Sequence, residues 1–226
     1  MKILKNIKNI LWFSLRSYKT FYGILLSILV ALSVLDIFIL NCSIGADLIS
    51  FMSIITIVAF IFLIIQFCNE ISKEQGRLLF MTPIKAWEFL SAKYILHTGV
   101  QIIIVASTSL VAFIGNVTLK NEIFITGLSL LGSFTIIYII ICSFIIIYGS
   151  FISNVGIIIT LVTITSIILP ALVGSIVEIL LYFLPYFYLR IGIFEIDILF
   201  TIIMIALFGS MIYISNRLLD TKLDIN

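Results

Sequence analysis

The sequence predicts an all-α integral membrane protein, and three observations carry that expectation. Of 226 residues, 62% are hydrophobic and only 11% are charged, outside the range of water-soluble domains. The apolar residues fall in runs of about 20, the length a helix needs to cross a hydrocarbon core roughly 30 Å thick. In such a core every backbone N–H and C=O must be paired within the chain, which runs of this kind achieve as helices and not as strands of alternating pattern.

Residues 1–226 read as one transmembrane domain. Residues 2–19 place Ile3, Leu4, Ile7, Ile10, Leu11 and Leu15 on one helical face, with Lys2, Lys5, Asn6, Lys8, Asn9 and Arg16 opposite and Trp12 and Phe13 flanking the arc. This is the pattern of an amphipathic helix lying in the headgroup plane. Membrane spans are expected at about 21–40, 48–68, 94–115, 123–148, 155–177 and 198–214. The connection at 41–43 is tight, residues 69–93 form a polar cytoplasmic segment, 116–122 a short turn and 149–154 a break. A surplus apolar stretch at 176–194, interrupted by Glu178, Pro185 and Arg190, is expected to be one or two partly inserted helices on the outer side.

Orientation follows from lysine and arginine. With the N-terminus inside, Lys2, Lys5, Lys8, Arg16, Lys19, Lys73, Arg77, Lys85, Lys93, Arg217 and Lys222 are cytoplasmic, eleven of the thirteen, and only Lys120 and Arg190 lie outside. Both termini are therefore expected in the cytoplasm. The net charge of +2 does not point to nucleic acid. Cys42, Cys68 and Cys142 form no C-x-x-C pair and read as packing residues. The match Asn116-Val117-Thr118 is short enough to arise by chance. The first apolar run begins about 20 residues in and lacks a small-residue cleavage site, which argues against a cleaved signal peptide.

Few residues suggest chemistry. The expected spans hold Asp36 near the outer end of the first and His97 one turn into the third, whereas an ion-driven carrier buries carboxylates at mid-membrane depth. Asp36 reads as an interfacial residue and His97 as a hydrogen-bonding one. No H-E-x-x-H and no P-loop occurs. Cys68 and His97 share a membrane face but lack a third, orienting group for nucleophilic catalysis. The chain is expected to be no enzyme and to bind no cofactor or metal itself.

The segment between the second and third spans carries the clearest pattern. At helical spacing Glu70, Lys73, Glu74 and Arg77 share one side, giving a charged ridge projecting below the membrane. Thr82-Pro83 is an N-cap and first-turn signature for a helix carrying Trp87 and Lys93 into the third span. With the basic amphipathic helix before the first span, the six spans, and Glu70, Glu74, Thr82 to Ile84 and Ala92-Lys93, the chain resembles the permease subunits of the ABC-2 exporter family. The resemblance extends to bacterial exporters of antimicrobial or toxin peptides, such as the lantibiotic-immunity, bacitracin-resistance and phenol-soluble-modulin types.

That resemblance implies a coupling helix at 69–93 whose Glu70, Lys73, Glu74 and Arg77 dock on a separate ABC ATPase. It further implies a second permease copy, two ATPase subunits carrying ATP and Mg, and a bacterial cytoplasmic membrane. The apolar spans suit a hydrophobic or amphipathic peptide or lipid-like cargo. Ser107, Thr108, Ser109, Thr135, Thr160, Thr163 and Ser166 could serve its path or bond one helix to another. The alternatives are a non-transporting scaffold or immunity protein and a membrane-embedded peptidase.

Overall fold

A computed structural model describes residues 2–35, 46–71, 85–152, 154–183, 188–191 and 194–224. The described chain is helical apart from one hairpin: α1 (Lys2–Val34), α2 (Ala46–Ile71), α3 (Ala86–Ile114), α4 (Lys120–Phe151), α5 (Val155–Phe183), β1 (Tyr188–Ile191), β2 (Phe194–Asp197) and α6 (Ile198–Asp224). Among the described residues, five helices are long and apolar enough to cross a membrane: Ile3–Val34, Asp47–Ile71, Ala86–Ile114, Lys120–Phe151 and Thr201–Thr221. The protein is a multi-pass membrane protein by this measure.

The chain forms two compact units, Met1–Glu70 with Thr82–Tyr138, and Ile71–Met81 with Ile139–Asn226. In the first, Leu25 and Leu29 of α1, Met52, Ile55 and Ala59 of α2, and Ile104 and Val105 of α3 make a buried cluster joined by Leu130 of α4. The outward stripe of α2, with Ile54, Ile57, Ile61 and Ile65 roughly half exposed, is as apolar as the inward one. A helix apolar all round belongs in lipid or in a protein interior.

α1 bends at Tyr18, whose backbone leaves the helical region (φ −120°, ψ 17°), at the expected boundary between the amphipathic segment and the first span. Beyond the bend Phe21 stacks on Phe62 at 3.5 Å between ring centroids, and Tyr18 meets the same ring edge-on. The buried face of the N-terminal segment differs from the expected apolar arc. Ile10 and Ser14 are buried, whereas Leu4, Trp12, Phe13 and Leu15 are exposed.

The end of α3 shows local sequence chemistry at work. Asn116 takes the left-handed conformation (φ 54°), the Asn116 N–H donates to Phe113 O and the Val117 N–H donates to Ala112 O. This is the Schellman pattern, with asparagine in the place glycine usually takes. Its hydrophobic contact is present too, since Val117 and Ala112 share a buried cluster with Leu48 and Ile123. Lys120 then reaches back to Asn116 Oδ1 at 3.1 Å and lies over the Phe113 ring.

Three expectations need correction in the second unit and at the start of α3. α4 continues through Phe151, so Gly149 is helical and the break narrows to 152–154. There Asn154 Oδ1 accepts from the Gly156 and Ile157 N–H groups and caps α5. The described residues of 176–194 do not form the one or two partly inserted helices expected. α5 runs on past Glu178 to Phe183, and an antiparallel hairpin follows with Ile191 opposite Phe194 and Arg190 opposite Glu195. The helix α3 starts at Ala86 with Lys85 at its N-cap, whose N–H donates to Glu88 Oε2 at 3.3 Å; the Thr82-Pro83 start lies outside the described residues.

Gly127 of α4 is a close-approach position. A Cβ there would stand 2.6 Å from Val105 Cγ1 and 3.3 Å from Met52 Sδ, and a β-branched neighbour has little freedom to turn away. Gly127→Ala gains about 1 kcal/mol of helix propensity but costs about 1–3 kcal/mol in overpacking. The substitution should therefore lower the unfolding midpoint in detergent, and Val105→Ala in the same chain should restore much of it. A rise in the midpoint from Gly127→Ala alone would contradict this packing.

Candidate functional site

The buried face of α3 is more polar than its exposed face. On α3, Lys93, His97, Gln101 and Thr108 are all buried, while Ile95, Ile102, Ile103 and Leu110 of the same helix are half exposed or more. The spacing of four between Lys93, His97 and Gln101 sets them one above another on one face. In a membrane helix a polar face turned inward indicates a functional or structural interior.

At the lower end of this file, three helices meet in one network. Lys93 of α3 forms an ion pair with Glu70 of α2, and its Nζ donates to Ser14 Oγ of α1 at 2.7 Å. Gln66 Nε2 donates to Glu70 Oε1 at 2.9 Å and the Tyr22 hydroxyl donates to Gln66 Oε1 at 2.9 Å. Lys93 also lies 5.5 Å from the centre of the Phe89 ring, which stacks with Phe67. Asn6 Nδ2 donates to Glu88 Oε2 at 3.0 Å, a second tie between α1 and α3.

This network revises the geometry expected for the ridge. Glu70 does not project from the membrane face; it is 5% exposed, against 2% for Lys93. Desolvated charges need a partner and further hydrogen bonds, and Lys93, Gln66, Tyr22 and Ser14 supply them. Helical spacing placed Glu70 with Lys73, Glu74 and Arg77, but the neighbouring helix decides which way a side chain turns. Lys73, Glu74 and Arg77 lie outside the described residues, as does Asp36.

One turn above Lys93, His97 is fully buried. Its ring lies parallel to that of Tyr138 of α4 at 4.2 Å and meets Phe60 of α2 edge-on at 5.9 Å. The Phe134 backbone carbonyl, the neighbour the expected hydrogen bond would use, faces the imidazole, but neither ring nitrogen reaches full hydrogen-bond geometry with it. No group of three metal-ligating side chains occurs among the described residues.

No family model, curated protein or solved structure matches the chain. The site must be read from its own chemistry.

The hydroxyls expected along a path divide between the units. Ser107 and Thr108 both donate to Ile104 O, Thr108 being fully buried; Ser109 is buried and Thr135 half-buried, and the hydroxyls of both lack a partner. In the second unit, Thr160 donates to Gly156 O and Thr163 to Ile159 O, both exposed, and the Ser166 hydroxyl is buried without a partner. Sequence reading missed Ser14, Tyr22, Gln66, Glu88 and Lys93 as a network. The signal available was the spacing of four in Gln66/Glu70 and in Lys93/His97/Gln101.

Removing one member of a buried ion pair leaves the other charge uncompensated and costs about 3–5 kcal/mol, whereas losing one neutral hydrogen bond costs about 1 kcal/mol. Lys93→Met should therefore destabilise the protein severely in SDS titration from mixed micelles, and Tyr22→Phe only mildly. Equal, small effects from both would show that the pair is not desolvated as described.

Proposed function

We propose that the chain is the membrane subunit of an ATP-driven exporter of hydrophobic or amphipathic peptides in a bacterial cytoplasmic membrane. In this reading it crosses six times, with both termini in the cytoplasm. The sixth crossing is α5, whose 29 residues extend about 43 Å. A second copy of the chain completes the conduit, and two copies of a separate ABC ATPase bind and hydrolyse ATP with Mg.

The observation that carries the reading is the ion pair between Glu70 and Lys93. Glu70 is one residue from the end of α2 and Lys93 lies two turns into α3, so the pair clamps the two roots of the segment 72–84. Ser14 and Asn6 bind the N-terminal arm of α1 to the same roots. A force applied to that segment therefore reaches three helices together instead of being absorbed by a hinge. Subunits that rock between two states under ATP need such a stiff load path.

Residues Lys73, Glu74 and Arg77 carry the charges for docking on the ATPase, and Glu70 anchors the end of α2 from which the segment departs. The cargo assignment rests on the apolar outward faces and on the exposed hydroxyls of Thr160 and Thr163. Each gives its proton to its own helix and keeps lone pairs free to accept from a peptide N–H.

The test is reconstitution with a candidate ABC ATPase from the same genome. Glu74→Lys should leave the chain folded yet weaken co-purification of the ATPase, because a reversed charge opposes docking. With the unaltered chain, ATP hydrolysis should rise with a membrane-active peptide and not with a hydrophilic peptide of equal length. Undiminished co-purification in Glu74→Lys, or stimulation by sugars or inorganic ions alone, would overturn the proposal.

A further inference from the structure

Above the Lys93 network, the file on α3 contains polar atoms that the protein does not satisfy. Both ring nitrogens of His97 and both amide atoms of Gln101 lack hydrogen-bond partners, and both side chains are fully buried. Buried groups of this kind are almost always bonded, to protein or to ordered water. Neither side chain is bonded back onto its own helix, as Ser107 and Thr108 are. Exchanging the oxygen and nitrogen of Gln101 changes nothing, since both are unpartnered.

The aromatic contacts fix the level of these groups. His97 of α3, Phe60 of α2 and Tyr138 of α4 touch one another in a single layer. α3 runs opposite to α2 and α4, so one turn further along α3 corresponds to one turn earlier on each neighbour. That step leads from His97 to Gln101, from Phe60 to Thr56, and from Tyr138 to Phe134 and Thr135. Thr56 is buried, and the hydroxyls of Thr56 and Thr135 are unpartnered as well. Three helices thus bring unpaired polar groups to one level. Beyond it Ile55, Met52, Ile104 and Val105 close the interior with hydrocarbon.

We infer that this level is an internal hydration site, occupied by ordered water held between His97, Gln101, Thr56 and Thr135. The donor and acceptor inventory selects the guest. A neutral imidazole offers one N–H and one lone-pair nitrogen, a carboxamide offers donors and an acceptor, and each hydroxyl does both. A cation would satisfy only the acceptors, and no carboxylate belongs to this layer to balance it; an anion would satisfy only the donors. Water donates and accepts, makes about three hydrogen bonds when buried, and is small enough for an interior with packed rings beneath it and aliphatic side chains above. The inference is independent of the transport reading.

His97 is the only histidine, so ring-¹⁵N histidine labels a single site in the full-length protein reconstituted in lipid bilayers. Water-edited solid-state NMR should show rapid transfer of magnetisation from water to the His97 ring, with ring shifts of a hydrogen-bonded imidazole. Gln101→Leu should abolish most of this transfer while His97 remains stacked on Tyr138, seen as an unchanged ring contact. A dry His97 ring in the unaltered protein, whether free or bonded directly to Gln101, would overturn the inference. Transfer undiminished in Gln101→Leu would overturn the shared site.

Discussion

The first unit depends on one desolvated ion pair. Glu70 and Lys93 are the charges it can least easily expose or leave single, and everything that touches them is arranged to answer that cost. Gln66 and Tyr22 extend from one carboxylate oxygen, Ser14 accepts from the ammonium, and the Phe89 ring covers its other side. Because these residues belong to α1, α2 and α3, satisfying one pair of charges sets the relative rotation of three helices. Apolar packing could not do so alone: in lipid, isoleucine on the outside is as content as isoleucine on the inside. The buried polar residues single out the inward faces, while branched aliphatic residues both fill the interior and cover it.

The broad architecture was legible because hydrocarbon thickness fixes helix length. The apolar runs around 48–68, 94–115 and 123–148 became α2, α3 and α4, with the start of α3 eight residues earlier and the other ends moved by up to three, and the bend at Tyr18 fell where the charged amphipathic segment gives way to the first apolar run. The turn at 116–119 was also written locally, in an asparagine able to take positive φ. The hairpin was missed because hydropathy outweighed periodicity. Phe194-Glu195-Ile196-Asp197 alternates apolar and polar residues with a strand's period, but the apolar character of the surrounding stretch masked it.

The interior site was only half legible. The spacing of Lys93, His97 and Gln101 places them on one face, and that much the chain states. Which residues of α2 and α4 face them is decided by helix rotation, a property of the packed unit and not of any single helix. The same reason explains Glu70: counted by position it joins a solvated ridge, yet a lysine 23 residues later draws it inward. Membrane proteins make this error easy, since a charge at a span end can serve the interface or the interior with the same sequence.

The central claim is that Glu70 and Lys93 act as one unit, and exchanging the charges tests it most directly. Glu70→Lys and Lys93→Glu made singly should each unfold at much lower SDS fraction than the unaltered protein. Made together, they should recover a large share of the loss, giving a coupling energy of at least about 1.5 kcal/mol in the double-mutant cycle. Additive losses, with no recovery in the exchanged pair, would contradict the account.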